Sequence, residues 1–254
     1  MKLATMKIGG RDGTSVLVSR DMKRMVVATS AVPTVRDAIE NWNEAEPKLQ
    51  TLASRLEAGS VDSLAYDPTL LASPLPRAFQ WADGSAYLSH MRLVRKARGA
   101  EMPENSEVDP LLYQGGGDGF LGPVDPIPCV DKEWGLDFEG EIAVITDDVP
   151  MGCSPKDAVS HIKLIMLCND ISLRHVMRPE LVKGFGFFQS KPASAFSPVC
   201  VTPDELSDAW TGGRINLPLI TTYNGSEFGH VDAGKDLSFE FTDLIAHAAR
   251  TRDL

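Results

Sequence analysis

The alternation of apolar and polar positions divides the chain into short strands near its start, one helical stretch, and a later region of strands separated by loops. Met1–Ile8, Ser15–Val18 and Met25–Ala28 are apolar or β-branched runs, and Gly-Gly-Arg-Asp-Gly at 9–13 places a turn after the first. Three short strands are predicted there. Thr34, followed three residues later by Asp37, is a helix-start signal. Val35, Ala38, Ile39, Trp42, Ala45, Leu49, Leu52 and Leu56 then recur at helical spacing, which predicts a helix continuing to about Leu56. Pro68–Pro76 is a proline-punctuated connector. It sets the expected boundary between a small N-terminal α/β domain, residues 1–76, and a larger domain, residues 77–254.

In the larger part, residues 103–128 are rich in Pro, Gly and Asp and predict a long loop, a common setting for lids and binding segments. Phe138–Thr146 reads as a strand. Ser154 with Pro155 and Asp157 starts a helix that takes in His161, and the apolar run Leu164–Cys168 is a buried strand ending at Asn169–Asp170. Thr202–Glu205 opens a short helix, Leu217–Tyr223 is a strand entering the turn Asn224–Gly225, and Phe241–Arg252 is a terminal helix. Many short strands with few helices predict a β-rich α+β fold. No G-x-G-x-x-G occurs, and strand and helix do not alternate regularly, which argues against a dinucleotide fold.

Composition adds exclusions. The 254 residues carry 25 Lys and Arg against 35 Asp and Glu, a formal charge of −10 with no basic cluster, so nucleic acid is not an expected partner. The apolar runs fall far short of the ~20 residues that span a bilayer, and the first ten residues lack a signal's apolar centre. Cys129, Cys153, Cys168 and Cys200 show no C-x-x-C spacing and read as reduced thiols. A cytoplasmic protein without a membrane partner is the expectation.

The chemistry begins at Glu139 and Glu141, two apart on the predicted strand. Alternation puts both carboxylates on one face, with Cβ atoms roughly 7 Å apart. Taken alone, E-x-E reads first as a solvated face of alternating glutamates. Asp170, at the end of a core strand, supplies a third carboxylate, and three such groups suit a hard divalent cation.

Asn169-Asp170-Ile171-Ser172-Leu173-Arg174 follows Glu141 by about thirty residues, and Gln189-Ser190-Lys191-Pro192 follows Asp170 by about twenty. With the stretch Lys191–Val199, this ordered set resembles the fumarylacetoacetate hydrolase family over roughly Trp81 to Leu254. The resemblance implies a mixed β-sandwich or β-roll catalytic domain. It implies Glu139, Glu141 and Asp170 as ligands of Mg²⁺, Mn²⁺ or Ca²⁺, and Lys191 as the catalytic cation facing substrate oxygens. Tyr87-Leu88-Ser89-His90 is similar to the Y-x-x-H of smaller family members and implies a lid histidine, His90, that activates water. Family members often place a glutamate soon after that histidine. Here Arg92 and Leu93 follow, and Glu101 and Glu104 are the nearest acids. Tyr113, Gln114, Arg174 and Lys191 are the implied substrate-binding residues. Smaller members usually carry a lysine near Gln114, so recognition is expected to differ. Asp109 is the candidate fourth ligand. His161, His175, His230 and His247 lack motif context and read as structural.

The implied activity is metal-dependent hydrolysis of a carbon–carbon bond in a small 1,3-dicarbonyl or acylpyruvate, an anionic keto acid. A decarboxylase, hydratase or tautomerase on the same site is the alternative, as is a non-catalytic metal- or ligand-binding member. A homodimer is implied as well. The family's further Gly- and Thr-rich strand is missing after the terminal helix, so a C-terminally truncated domain is expected.

Overall fold

In the computed structural model, which describes residues 1–99, 101–102 and 105–254, the three apolar runs near the start are antiparallel strands. They are β1 (Lys2–Met6), β2 (Thr14–Val18) and β3 (Arg24–Val27). Leu3 lies opposite Leu17 and Leu17 opposite Val26, so these three share one face. Ala4, Val16, Val18 and Met25 take the other, as period-two alternation requires. Both faces are buried, the second beneath Leu71.

The helical stretch is two helices, α1 (Val35–Glu40) and α2 (Trp42–Glu57), where the spacing predicts one. Asn41 leaves the helical region at φ −133°, and its side-chain N–H donates to the Asp37 carbonyl at 3.3 Å. A continuing helix would have given that acceptor to the backbone N–H of Asn41. Thr34 and Asp37 form the expected capping box. Val35, Ala38, Trp42, Ala45, Leu49, Leu52 and Leu56 turn inward onto the Leu3–Leu17–Val26 face.

The chain continues through β4 (Leu64–Ala65), β5 (Trp81–Gly84), α3 (Leu88–Arg98) and β6 (Leu112–Gly115). Next come β7 (Leu136–Asp137), β8 (Gly140–Thr146), α4 (Pro155–Ala158) and β9 (Ile162–Asn169). After β10 (Ser172–Leu173), α5 (Arg174–Leu181), β11 (Ala195–Phe196) and β12 (Cys200–Val201), the hairpin β13 (Pro218–Tyr223) and β14 (Ser226–Asp232) precedes α6 (Phe241–Ala248). The expected α+β, sheet-rich class holds.

Two compact units divide these elements. The first comprises Met1–Trp81, Gly116–Asp147 and Ile162–Glu205. Its main sheet is antiparallel and centred on β9, which pairs with β8 on one side and with β11 and β12 on the other. β12 pairs with β1, so the sheet runs on through β2, β3 and β4, across the proline connector. Ala143, Ile145, Leu164, Met166, Cys168 and Phe196 join the α1 and α2 side chains in one core. The second unit comprises Ala82–Gly115, Asp148–His161 and Leu206–Leu254. There β6 interrupts the predicted 103–128 loop, and β13 and β14 turn through Asn224 (φ 48°) and Gly225 (φ 80°), the signs a two-residue hairpin needs.

Other helices differ in detail from the pattern, and two of them, α4 and α6, are shorter than it predicts. α4 covers one turn, and His161 lies in the 3₁₀ turn Val159–His161. Pro203–Ala209 is 3₁₀ in character and kinked at Ser207. α6 stops at Ala248 because the following backbone pairs elsewhere. Gly152 N–H donates to the Ala249 carbonyl at 2.8 Å, and Val149 and Leu254 exchange two bonds of 2.9 Å. None of the four cysteines forms a disulfide. Among the described residues no helix is long and apolar enough to cross a membrane.

Candidate functional site

The buried side chains of Ile162, Leu164, Ile165, Met166 and Cys168 fix β9 in the core, and the chain delivers Asp170 there fully buried. Its backbone N–H donates to the Glu139 carbonyl at 3.0 Å, while Glu139 N–H donates to Asn169 Oδ1 at 3.1 Å. Glu139 therefore precedes β8 instead of lying on it. Its backbone groups are taken by Asn169 and Asp170 and not by a ladder partner. Glu141 is on β8, opposite Cys168. The result keeps the expected convergence by a different route: Glu139, Glu141 and Asp170 each offer a carboxylate oxygen within 4.8 Å of the others.

Two cations face this group. Lys191 Nζ donates to Glu139 Oε2 at 2.6 Å and to Asp170 Oδ2 at 2.5 Å, with its side chain only 7% exposed. Arg174, the first residue of α5, donates to Glu139 Oε1 at 2.7 Å and to Asp137 Oδ2 at 2.8 Å. Burial pulls the Lys191 ammonium down, but the charges of Asp170 and Glu139 and the bonds to both outweigh it and hold the group above the ordinary lysine range. Burial likewise opposes the Arg174 charge, and Asp137 and Glu139 more than compensate. Both side chains are cations here.

Ser194 completes the support of Asp170. Its buried hydroxyl donates to Oδ1 at 3.0 Å. Sequence reasoning missed Ser194 and also Glu180 on α5, whose carboxylate accepts from Gln189 N–H, Ser190 N–H and the Ser190 hydroxyl. The only signal for either lay in its distance from Lys191.

Five of the implied residues, Glu139, Glu141, Asp170, Arg174 and Lys191, thus come together in the first unit. His90, Tyr113 and Gln114 belong to the second. His90 is exposed in the first turn of α3, a helix the pattern did not predict. That turn is anchored where Tyr87 donates its hydroxyl to the Ala233 carbonyl at 2.8 Å and Ser89 N–H donates to Asp236 Oδ2 at 2.7 Å. Tyr113 is half-buried and Gln114 exposed on β6. Asp109 faces His247 and Arg250, each at 3.6 Å, and not the carboxylate group. Glu101 is exposed, and Glu104 lies outside the described residues.

The donor set fits a hard divalent cation. Every candidate atom is a carboxylate oxygen, the donor that Mg²⁺, Mn²⁺ and Ca²⁺ prefer.

Comparisons with known proteins bear on the family and the fold. Residues 80–254 match the family model of the fumarylacetoacetate hydrolase C-terminal domain, and residues 1–77 match fumarylacetoacetase N-terminal domain 2. No curated protein matches the chain. Among solved structures, a fumarylacetoacetate hydrolase from Exiguobacterium antarcticum is 18% identical with a TM-score of 0.66, covering 100% of this chain and 83% of its own. Maleylpyruvate hydrolase from Sphingobium sp. SYK-6, in complex with manganese(II) and pyruvate, is 16% identical with a TM-score of 0.68, covering 100% and 84%. A 5-carboxymethyl-2-hydroxymuconate delta-isomerase from Mycobacterium smegmatis is 18% identical with a TM-score of 0.64, covering 100% and 83%. At these identities the three share the fold.

Proposed function

The chain belongs to the fumarylacetoacetate hydrolase family, and on that premise we propose that it is a divalent-metal-dependent hydrolase cleaving a carbon–carbon bond in a small acylpyruvate-type keto acid. The observation that carries this reading is the convergence of Glu139, Glu141 and Asp170 beside the buried Lys191. Those three carboxylates would hold Mg²⁺, Mn²⁺ or Ca²⁺. When bound, such an ion supplies Lewis acidity to a chelated carbonyl and to the enolate that leaves.

The protein's own groups do the rest. Lys191 Nζ is a fixed donor at the place where enolate charge develops, and it needs no reorganisation as the bond breaks. Arg174 has five N–H donors in a rigid fork, and beyond its bonds to Asp137 and Glu139 it has capacity to orient an anionic oxygen of the substrate. Tyr113 and Gln114 are assigned to substrate recognition. His90 takes a proton from water at an imidazole nitrogen. The water oxygen adds to the distal carbonyl, the carbon–carbon bond breaks, and its electron pair passes to the enolate.

The pyruvate in the Sphingobium structure supports a 2-oxo acid as substrate or product. The Mycobacterium isomerase favours a second reading, in which the same enolate-stabilising site serves isomerisation or tautomerisation. Hydration and decarboxylation fall under that reading too. The proposal includes a homodimer in the cytoplasm.

A screen of acylpyruvates, oxaloacetate and fumarylacetoacetate with Mg²⁺ or Mn²⁺, read by enolate absorbance, tests it. Loss of acylpyruvate absorbance with release of pyruvate is expected. Tight metal binding without turnover of any of them would leave a metal-binding protein and overturn the hydrolase reading.

A further inference from the structure

Helix α5 carries at each end a residue tied to the carboxylate group, Arg174 directly and Glu180 through the segment that delivers Lys191. Arg174 at its start grips Glu139 Oε1 directly. Glu180, near its end, grips the segment that delivers Lys191. Its Oε1 accepts from Gln189 N–H at 2.8 Å, and its Oε2 accepts from Ser190 N–H at 3.0 Å and from the Ser190 hydroxyl at 2.5 Å. Ser190 is fully buried, and its carbonyl accepts from Leu173 N–H at 2.9 Å, immediately before Arg174. Lys191 follows and closes the circuit on Glu139 Oε2 and Asp170 Oδ2.

The span between Glu180 and Ser190 gives no such support by itself. Val182, Phe185 and Phe188 are almost wholly exposed. Gly184 (φ 81°) and Gly186 (φ 90°) sit in the left-handed region with open space where a Cβ would be. A glycine-rich exposed segment brings conformational freedom to the residue after it unless its end is tied down.

We propose that Glu180 is a positioning residue for Lys191: its carboxylate staples Ser190 to α5 and so sets where the Lys191 ammonium stands. One carboxylate receiving several donors is a strong tie, because hydrogen bonds to an ionised acceptor exceed neutral ones. It acts through the backbone of the neighbouring residue and touches neither substrate nor metal. The inference deepens the proposed function, since Lys191 is the group that reading assigns to the developing enolate.

The test reads Lys191 itself. Full-length wild type, Glu180→Ala, Glu180→Gln and Ser190→Ala are exposed to an amine-acylating reagent, and acylation at each lysine is followed by peptide mass spectrometry. In Glu180→Ala, Lys191 should acylate about tenfold faster or more, the rise in open population expected from losing charge-assisted bonds. Lys163, paired with Asp147 on the same sheet, should keep its wild-type rate. Glu180→Gln retains one acceptor oxygen and should recover part of the protection, and Ser190→Ala should fall between. Should Glu180→Ala not fold, the other two variants carry the comparison. An unchanged Lys191 rate in a folded variant overturns the proposal, as does a rise shared equally by Lys163. Turnover is measured alongside. A wild type without activity would sink the hydrolase reading while leaving the acylation result to decide the staple. In an active enzyme, kcat should fall in Glu180→Ala with KM moving less.

Discussion

Lys191 is the residue on which the site's electrostatics turn. It meets two carboxylates, and Asp170 is wholly buried. Replacing Lys191 with Met keeps the length and removes the charge, which leaves Asp170 short of its strongest partner. Breaking a buried pair from one side costs about 3–5 kcal/mol, and urea unfolding of metal-free protein should show a loss of that order. Excess Mn²⁺ should restore part of it, because an ion that binds only the native state stabilises that state. His90 makes the opposite prediction. It is exposed on α3, so His90→Ala should leave Mn²⁺ affinity almost intact in calorimetry while turnover drops by ~10²–10⁴, the usual contribution of a general base. Much of this site was legible in residue order alone. Glu139, Glu141, Asp170, Arg174 and Lys191 are types with distinct chemistry at family spacing. Ser194 and Glu180 were not legible, because a serine or glutamate that supports another residue looks like any other until the fold brings them together.

Helix α5 shows what is lost at the scale of elements. It has eight residues with Pro179 inside, too short and too interrupted for periodicity to announce it, yet it brings Arg174 and Glu180 to the site. α3 escaped for a similar reason, lying between a motif and a polar stretch. The N-terminal strands and the capping box at Thr34 were readable because apolar alternation and cap chemistry are local. The break at Asn41 was not, since the apolar spacing runs through it unchanged. Thr34→Ala should cost about 0.5–2 kcal/mol in thermal or urea unfolding. The α5 staple predicts a pH dependence. Burial alone would raise the Glu180 carboxyl, but the Ser190 hydroxyl and the N–H groups of Phe188, Gln189 and Ser190 outweigh it and bring the group down to about 2, from 4.5. A depressed folded value stabilises above the unfolded one and loses that contribution as pH falls towards about 2. Wild type should therefore exceed Glu180→Gln in urea midpoint near pH 7, and the gap should close between about pH 4.5 and 2. A gap constant across that window would assign the effect to shape and not to charge.

At the scale of the whole molecule, three carboxylates meet at the end of a core strand, the Asp170 carboxylate wholly buried and those of Glu139 and Glu141 partly so. Glu139, Glu141 and Asp170 repel one another; Lys191 and Arg174 offset part of that repulsion, and the proposed divalent ion would offset more of it. On the proposed function, stability, metal binding and activity would be linked through one cluster. Glu141→Gln separates them. Removing one repulsive charge should leave metal-free protein as stable as wild type or slightly more so, while taking away an oxygen donor the ion needs. Titration of Mn²⁺ into wild type and Glu141→Gln, by calorimetry on metal-free protein, is the direct measurement. Wild type should bind one Mn²⁺ per chain, and Glu141→Gln should show no comparable binding at an unchanged or higher unfolding temperature. If Glu141→Gln binds Mn²⁺ as tightly as wild type, the three-carboxylate site is wrong, and the metal-dependent activity built on it falls with it.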